Sequence, residues 1–137
     1  MATELKLNKE YIQAGALGAK PIERILHEMN EQGQFEGAVL ASSEGLPLAA
    51  APSLYDTDTT AAMVAMLQRV ALEAREYLSM AEVDEITIFD QDRIRLVCRY
   101  LDLEGEQLIL AAMVPPYHYY RRVTNSAIRR IRELFLE

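Results

Sequence analysis

Apolar positions recur along this chain with two periods. Ile22, Ile25, Leu26 and Met29 lie three and four residues apart, one helical face, with Pro21 suited to the first turn and Gly33 to the stop. Phe35 to Ser42 and Leu46 to Ala51 read as two strands joined at Gly45, the residue that accepts the positive φ of a tight hairpin. Ala38, Val39, Leu40 and Ala41 are apolar on both parities, the mark of a strand covered on both faces. Pro52 stops the second strand, and a helix capped by Asp58 or Thr59 is expected over 59–81. Val83 to Asp90 forms a third strand with Ile86 and Ile88 on one face, and Asp90-Gln91-Asp92 turns the chain. Ile94, Leu96, Cys98 and Tyr100 then alternate with Arg95, Val97 and Arg99, the cleanest period of two in the chain. After a turn at Gly105, the apolar run Leu108 to Val114 reads as another central strand, Pro115-Pro116 ends the sheet, and a last helix covers 117–136. The order αββαβββα predicts one α+β domain over 20–137, with a five-stranded antiparallel sheet and helices on both of its faces. Residues 1–19, weakly periodic and broken by Gly15 and Gly18, read as a flexible tail.

The middle helix is too apolar for a single sheet face. At about 100° per residue, Met63, Val64, Met66, Leu67, Val70, Ala71, Ala74, Tyr77 and Leu78 cover nearly half its circumference. A second copy of the chain is the commonest second cover. Met63, Met66, Leu67, Val70, Ala74 and Tyr77 are therefore the expected dimer contacts. The alternative is that the first and last helices cover it within one chain. Beyond that arc, Ala61, Ala65, Gln68 and Leu72 form a small-surfaced strip with Arg69 beside it. Paired in a dimer, two such strips would form a flat docking platform; the other reading is that these are merely helix-favouring residues.

Charge narrows the range of partners. Fourteen Lys and Arg against 21 Asp and Glu give a net charge of −7, which argues against general nucleic-acid binding. From Tyr117 onward five arginines face two glutamates, a local +3, so the rest of the chain carries −10. Arg121, Arg122, Arg129, Arg130 and Arg132 fill the polar arc of the last helix, opposite Tyr120, Val123, Ala127, Ile128, Ile131, Leu134 and Phe135. One cysteine excludes an internal disulfide. No secretory pattern and no apolar run near the length of a membrane span is present, so a cytoplasmic location is expected.

Candidate chemistry is sparse. His27 and His118 are too far apart to form a metal pair by spacing, and Cys98 alternates with core positions. Asp56 and Asp58 lack the later Gly and Glu of a calcium loop. No H-E-x-x-H, C-x-x-C, G-x-S-x-G or phosphate-cradling loop occurs, so no catalytic residue, cofactor or metal is expected. Tyr117-His118-Tyr119-Tyr120-Arg121-Arg122 is the one cluster with binding chemistry. Aromatic and basic residues of this kind can stack bases and hold phosphates. The net charge favours instead packing tyrosines beside a solvated or partner-facing arginine row.

The hairpin Gly37-Ala38-Val39-Leu40-Ala41-Ser42-Ser43-Glu44-Gly45-Leu46-Pro47 resembles the signature hairpin of the roadblock family, the dynein light-chain type. The small-residue helix after it and the apolar last strand leading to a final helix fit as well. The resemblance covers about residues 20–136 and lies nearest the prokaryotic gliding-motility members. It implies a roadblock sandwich, related to profilin and longin folds, that dimerises through the middle helix and the third strand. Ile86 and Ile88 thereby join the expected dimer contacts. It also implies a small Ras-like GTPase as partner, with hydrolysis stimulated by reshaping the GTPase's own switch loops. The chain would then be a regulator and not itself an enzyme. No one arginine is marked out as a finger. The alternative from a different class is a nucleotide-insensitive scaffold that assembles complexes through its sheet edges or basic helix.

Overall fold

A computed structural model describes residues 19–135. The expected tail lies outside them except for Ala19, which opens the first helix. The elements in order are α1 (Ala19–Gly33), β1 (Gly37–Ser42), β2 (Pro47–Ala51), α2 (Thr57–Leu78), β3 (Glu85–Phe89), β4 (Arg95–Leu103), β5 (Glu106–Val114) and α3 (Arg121–Glu133). The strands form one sheet in the order β2-β1-β5-β4-β3, with every neighbour pair antiparallel. The expected α+β architecture, a five-stranded antiparallel sheet between helices, is the one observed.

Strand alternation divides the core into two layers. Leu40, Val97, Leu101, Leu108 and Leu110 point toward α1 and α3, where Ile22, Leu26, Met29 and Ile131 complete the larger layer. Val39, Ala41, Cys98, Ile109 and Ala111 point the other way and meet Ala61 and Val64 of α2. β1 and β5 are buried on both faces, as their unbroken apolar runs predicted.

The hairpin turn is held from inside. The buried Ser42 Oγ accepts from the backbone N–H of Glu44 (3.2 Å) and of Leu46 (3.1 Å). Gly45 has φ +93°, and a Cβ there would lie 3.4 Å from Ala62 Cα and 3.5 Å from Ala65 Cβ. The turn therefore lies against the first half of α2, and its close approach accounts for the run of alanines there.

Strand ends shift by up to three residues, and three helix boundaries differ from the periodic reading for a visible reason. α2 starts two residues early because its N-cap is Asp56, not Asp58 or Thr59: Asp56 Oδ2 accepts from Thr59 N (2.8 Å) and Thr59 Oγ1 (2.6 Å). It ends at Leu78, because Ser79 adopts the left-handed conformation that closes a helix. α3 starts at Arg121, because 115–120 is an irregular loop with Tyr117 at φ +64°.

The cap makes a pH prediction. The hydrogen bonds from Thr59 favour the ionised Asp56 and hold its carboxyl below the usual value of 3.8. A depressed folded-state value stabilises the fold above the unfolded value, and that stabilisation is lost as pH falls through the folded one. Asp56→Ala is expected to lower the melting temperature at neutral pH and to leave it unchanged well below pH 3.8. Melting curves of both proteins across this range check the convergence.

A candidate docking face on the middle helix

α2 carries two apolar faces. Ala61, Val64, Gln68 and Ala71, at helical spacing, are buried against the sheet. On the opposite side Met63, Met66, Val70 and Tyr77 are exposed, with Ala74 half-buried among them. Met66 and Val70 each keep 55% of their surface in water and Tyr77 keeps 76%, so none of the other described elements covers this stripe. Leu67 lies at its margin, half-buried and packed against the smaller core layer.

The stripe adjoins an open part of the sheet. α2 lies chiefly over β1, β2 and β5. On its side of the sheet β3 presents Ile86, half-buried, and Ile88, exposed. β3 is also an edge strand, paired only with β4. Its sequence Glu-Ile-Thr-Ile-Phe has neither proline nor lysine, the usual devices that discourage edge pairing.

The other face of β3 is tied to α3 by charge. Glu85 accepts from Tyr120 Oη, from Arg121 Nη1 and from Thr87 Oγ1, the last at 2.7 Å. Arg121 Nη2 donates to Asp84 Oδ2 at 3.1 Å. Beneath them Arg99, 4% exposed, donates from Nη1 to Thr124 Oγ1 (2.6 Å) and from Nη2 to Asn125 Oδ1 (2.7 Å). Its guanidinium also lies 3.9 Å from Glu85 and 4.0 Å from Asp84. Arg99 shares its face of β4 with Arg95 and Val97, and α3 closes over it.

The Roadblock/LC7 domain family model matches residues 21–111. The chain belongs to the Roadblock/LC7 family. Solved structures with the same fold include Myxococcus xanthus MglB (TM-score 0.75, 12% identity, covering 85% of this chain and 88% of that one). The gliding protein MglB of Thermus thermophilus is similar at TM-score 0.73 and 16% identity, covering 87% and 91%. An MglB in a tetrameric arrangement follows at TM-score 0.70 and 19% identity, covering 88% and 94%. A comparison with curated protein sequences finds no match.

In this roadblock domain the residues expected for partner docking do not share one surface. Ala61 and Gln68 are buried, and Gln68 Nε2 donates to Gln107 Oε1 on β5. Ala65 is half-buried against the hairpin turn. Only Arg69 and Leu72 are exposed. The inner sheet layer is built of small and medium side chains, so the helix packs its own small residues inward and turns its methionines out. Ala61 and Gln68 are therefore corrected from platform to core.

Other chemistry-bearing residues are accounted for in the roadblock domain. Burial, then the nearby Glu85, pushes the Cys98 thiol up to about 12, so it remains protonated and unreactive at neutral pH. His27 is exposed, whereas His118 is held between Pro116 O (2.9 Å) and Gln34 Oε1 (3.0 Å). Arg130 pairs with Glu28 of α1 at 2.6 Å, and Arg129 with Glu133 at 4.0 Å. An open cleft of about 250 Å³ beside the C-terminal half of α2 is lined by Arg75, Arg132, Glu82, Asp84 and Asp102, a mixed-charge lining that selects no single ligand charge. Among the described residues no cluster of three or more potential metal ligands occurs, and no helix is long and apolar enough to cross a membrane.

Proposed function

We propose that this roadblock domain self-associates through the outer stripe of α2 and the free edge of β3, and that the pair binds a small Ras-like GTPase. The observation that carries the first half is the stripe's self-complementarity. In an antiparallel pair of α2 helices centred on Val70, Val70 meets its own copy, Met66 meets Ala74, and Met63 meets Tyr77. Met66 is set against the smaller Ala74 and Tyr77 against the flexible Met63, with the mid-sized Val70 on the axis, a self-complementary arrangement of the kind an isologous interface requires. Ile86 and Ile88 extend the same apolar surface. The tetrameric MglB relative supports self-association as a property of this fold.

The GTPase reading is supported by family membership and the MglB-like fold. In this reading the GTPase meets the flank of α2 that stays exposed beside the stripe, at Arg69 and Leu72. Ala61 and Gln68 take no part. Any stimulation of hydrolysis acts through the GTPase's own catalytic groups. Immobilised protein is expected to retain a purified Ras-like GTPase of the same organism about tenfold more tightly with a non-hydrolysable GTP analogue than with GDP. Arg69→Glu with Leu72→Arg should abolish the retention without altering self-association. Equal retention in both nucleotide states would overturn the regulator reading and leave the nucleotide-insensitive scaffold.

A further inference from the structure

We propose that the cleft under the C-terminal half of α2 binds a free amino acid or another zwitterion of that size. The cleft opens where the buried face of α2 runs past the core. Ala61, Val64, Gln68 and Ala71 lie against the sheet at three- and four-residue spacing, and Arg75 is the next position on that face. Yet Arg75 is exposed, as is every residue of α2 after Ala71 except the half-buried Ala74. The last two turns of the helix therefore overhang the sheet instead of packing on it. The strand side shows the same break. Tyr100 and Asp102 follow Cys98 on the α2 face of β4, and Asp102 is the register partner of Gln107 on β5. Cys98 is fully buried, Tyr100 half-buried and Asp102 exposed. Positions 75 and 102, which periodicity assigns to the smaller core layer, thus carry opposite charges and line a cleft of about 250 Å³. Leucine at either would add apolar area to the core; the space is instead kept open and polar.

The lining also holds an unanswered hydroxyl. Tyr100 Oη is buried and has no hydrogen-bond partner among the described residues. Such a group costs stability unless something bonds it. Burial, then the nearby Cys98, pushes the phenol above the ordinary tyrosine value, so it stays a donor at neutral pH. On the same cleft Gln68 Nε2 donates to Gln107 Oε1, and each amide keeps further hydrogen-bonding capacity.

The rim supplies both signs of charge. Arg75 and Arg132 line the cleft together with Glu82 and Asp102, and none of the four makes an ion pair among the described residues. Asp84, the other charged residue of the lining, is taken by Arg121 at 3.1 Å. Charges that share one small cleft without neutralising one another fit a ligand that carries both. Its carboxylate suits the guanidinium forks and its ammonium the carboxylates. A ligand of single charge would be repelled by half of the rim. The cleft is smaller than the roughly 300–1,000 Å³ pockets of drug-sized ligands, room for one amino acid and not for a peptide. The stripe of Met66 and Val70 lies on the far side of α2, so the site does not depend on self-association.

The test is an NMR titration of the isotope-labelled full chain with each of the protein amino acids in turn. At least one is expected to give saturable amide shifts below about 10 mM, centred on Ala71, Arg75, Tyr100, Asp102 and Gln107. The N-acetyl N-methylamide of that amino acid, which lacks both charges, should bind at least about tenfold more weakly. Arg75→Leu and Asp102→Leu should each weaken binding about tenfold, while melting stays level or rises because leucine suits a core position. Tyr100→Phe separates recognition from folding in the same way: it deletes a buried hydroxyl that has no partner, so binding falls and melting does not. Val70→Asp should leave the titration unchanged. No saturable shift with any amino acid, equal binding of the blocked derivative, undiminished binding by Arg75→Leu and Asp102→Leu, or a Tyr100→Phe protein that melts well below the parent would each overturn the proposal.

Discussion

Replacing Val70 by aspartate is expected to yield a folded monomer, by disrupting the proposed pairing of two α2 helices. Val70 occupies the centre of the proposed helix pair, so one substitution acts twice and places two carboxylates face to face across the symmetry axis. Each loses its valine contact and brings an unpaired charge into an apolar seam. Together these effects amount to about 4 kcal/mol, close to a thousandfold in the dissociation constant. The protomer itself hardly notices: Val70 is more than half exposed, and aspartate and valine have similar helix propensities. Light scattering coupled to size-exclusion chromatography should therefore report monomer mass with an unchanged circular dichroism spectrum. Thermal unfolding, concentration-dependent in the parent, should become concentration-independent. A variant that keeps the parent mass at micromolar concentration would move the interface off α2.

The sheet and its connections were legible because their signals are local. The alternation from Ile94 to Tyr100 and the doubly apolar Ala38 to Ala41 and Leu108 to Val114 report burial directly. The orientation of α2 was not legible. A helical wheel finds two apolar arcs on it but cannot say which meets the sheet. That depends on the depth of the groove, set by Val39, Ala41 and Ala111 of other strands and by Gly45 lying on Ala62 and Ala65. The cue available was size: alanines at 61 and 71 match a shallow, small-residue sheet layer, whereas methionines do not. The cap at Asp56 competed with an equally good Asp58. The loop 115–120 was hidden because its tyrosines run straight into the pattern of α3; the carbonyl bonds from Arg95 hold it out of the helix.

Arg99 was the residue hardest to read, and its removal should cost the most stability. A charged residue alternating with apolar ones signals an outward position, and only the arrival of α3 across β4 overrides that signal. Arg99→Ala would leave Thr124 Oγ1 and Asn125 Oδ1 without their buried donor and remove a cation 3.9 Å from Glu85. Breaking such a buried charged network costs about 3 kcal/mol, or close to 10 °C in melting temperature for a chain of this size. Arg99→Met keeps the packed stem and should lose less, since Glu85 retains Arg121 and Tyr120. The consequence reaches function because Glu85 opens β3. With Arg99 gone, one of the ties holding the edge strand to α3 is cut, and the edge proposed for self-association becomes less well ordered. Arg99→Ala is thus expected both to melt earlier and to dissociate at higher protein concentration than the parent. A double-mutant cycle with Glu85→Ala should show coupling of about 1 kcal/mol or more. Additive effects in that cycle, or an Arg99→Ala melting temperature close to that of the parent, would show that the guanidinium is solvated in place and that β3 is held by its backbone ladder to β4 alone.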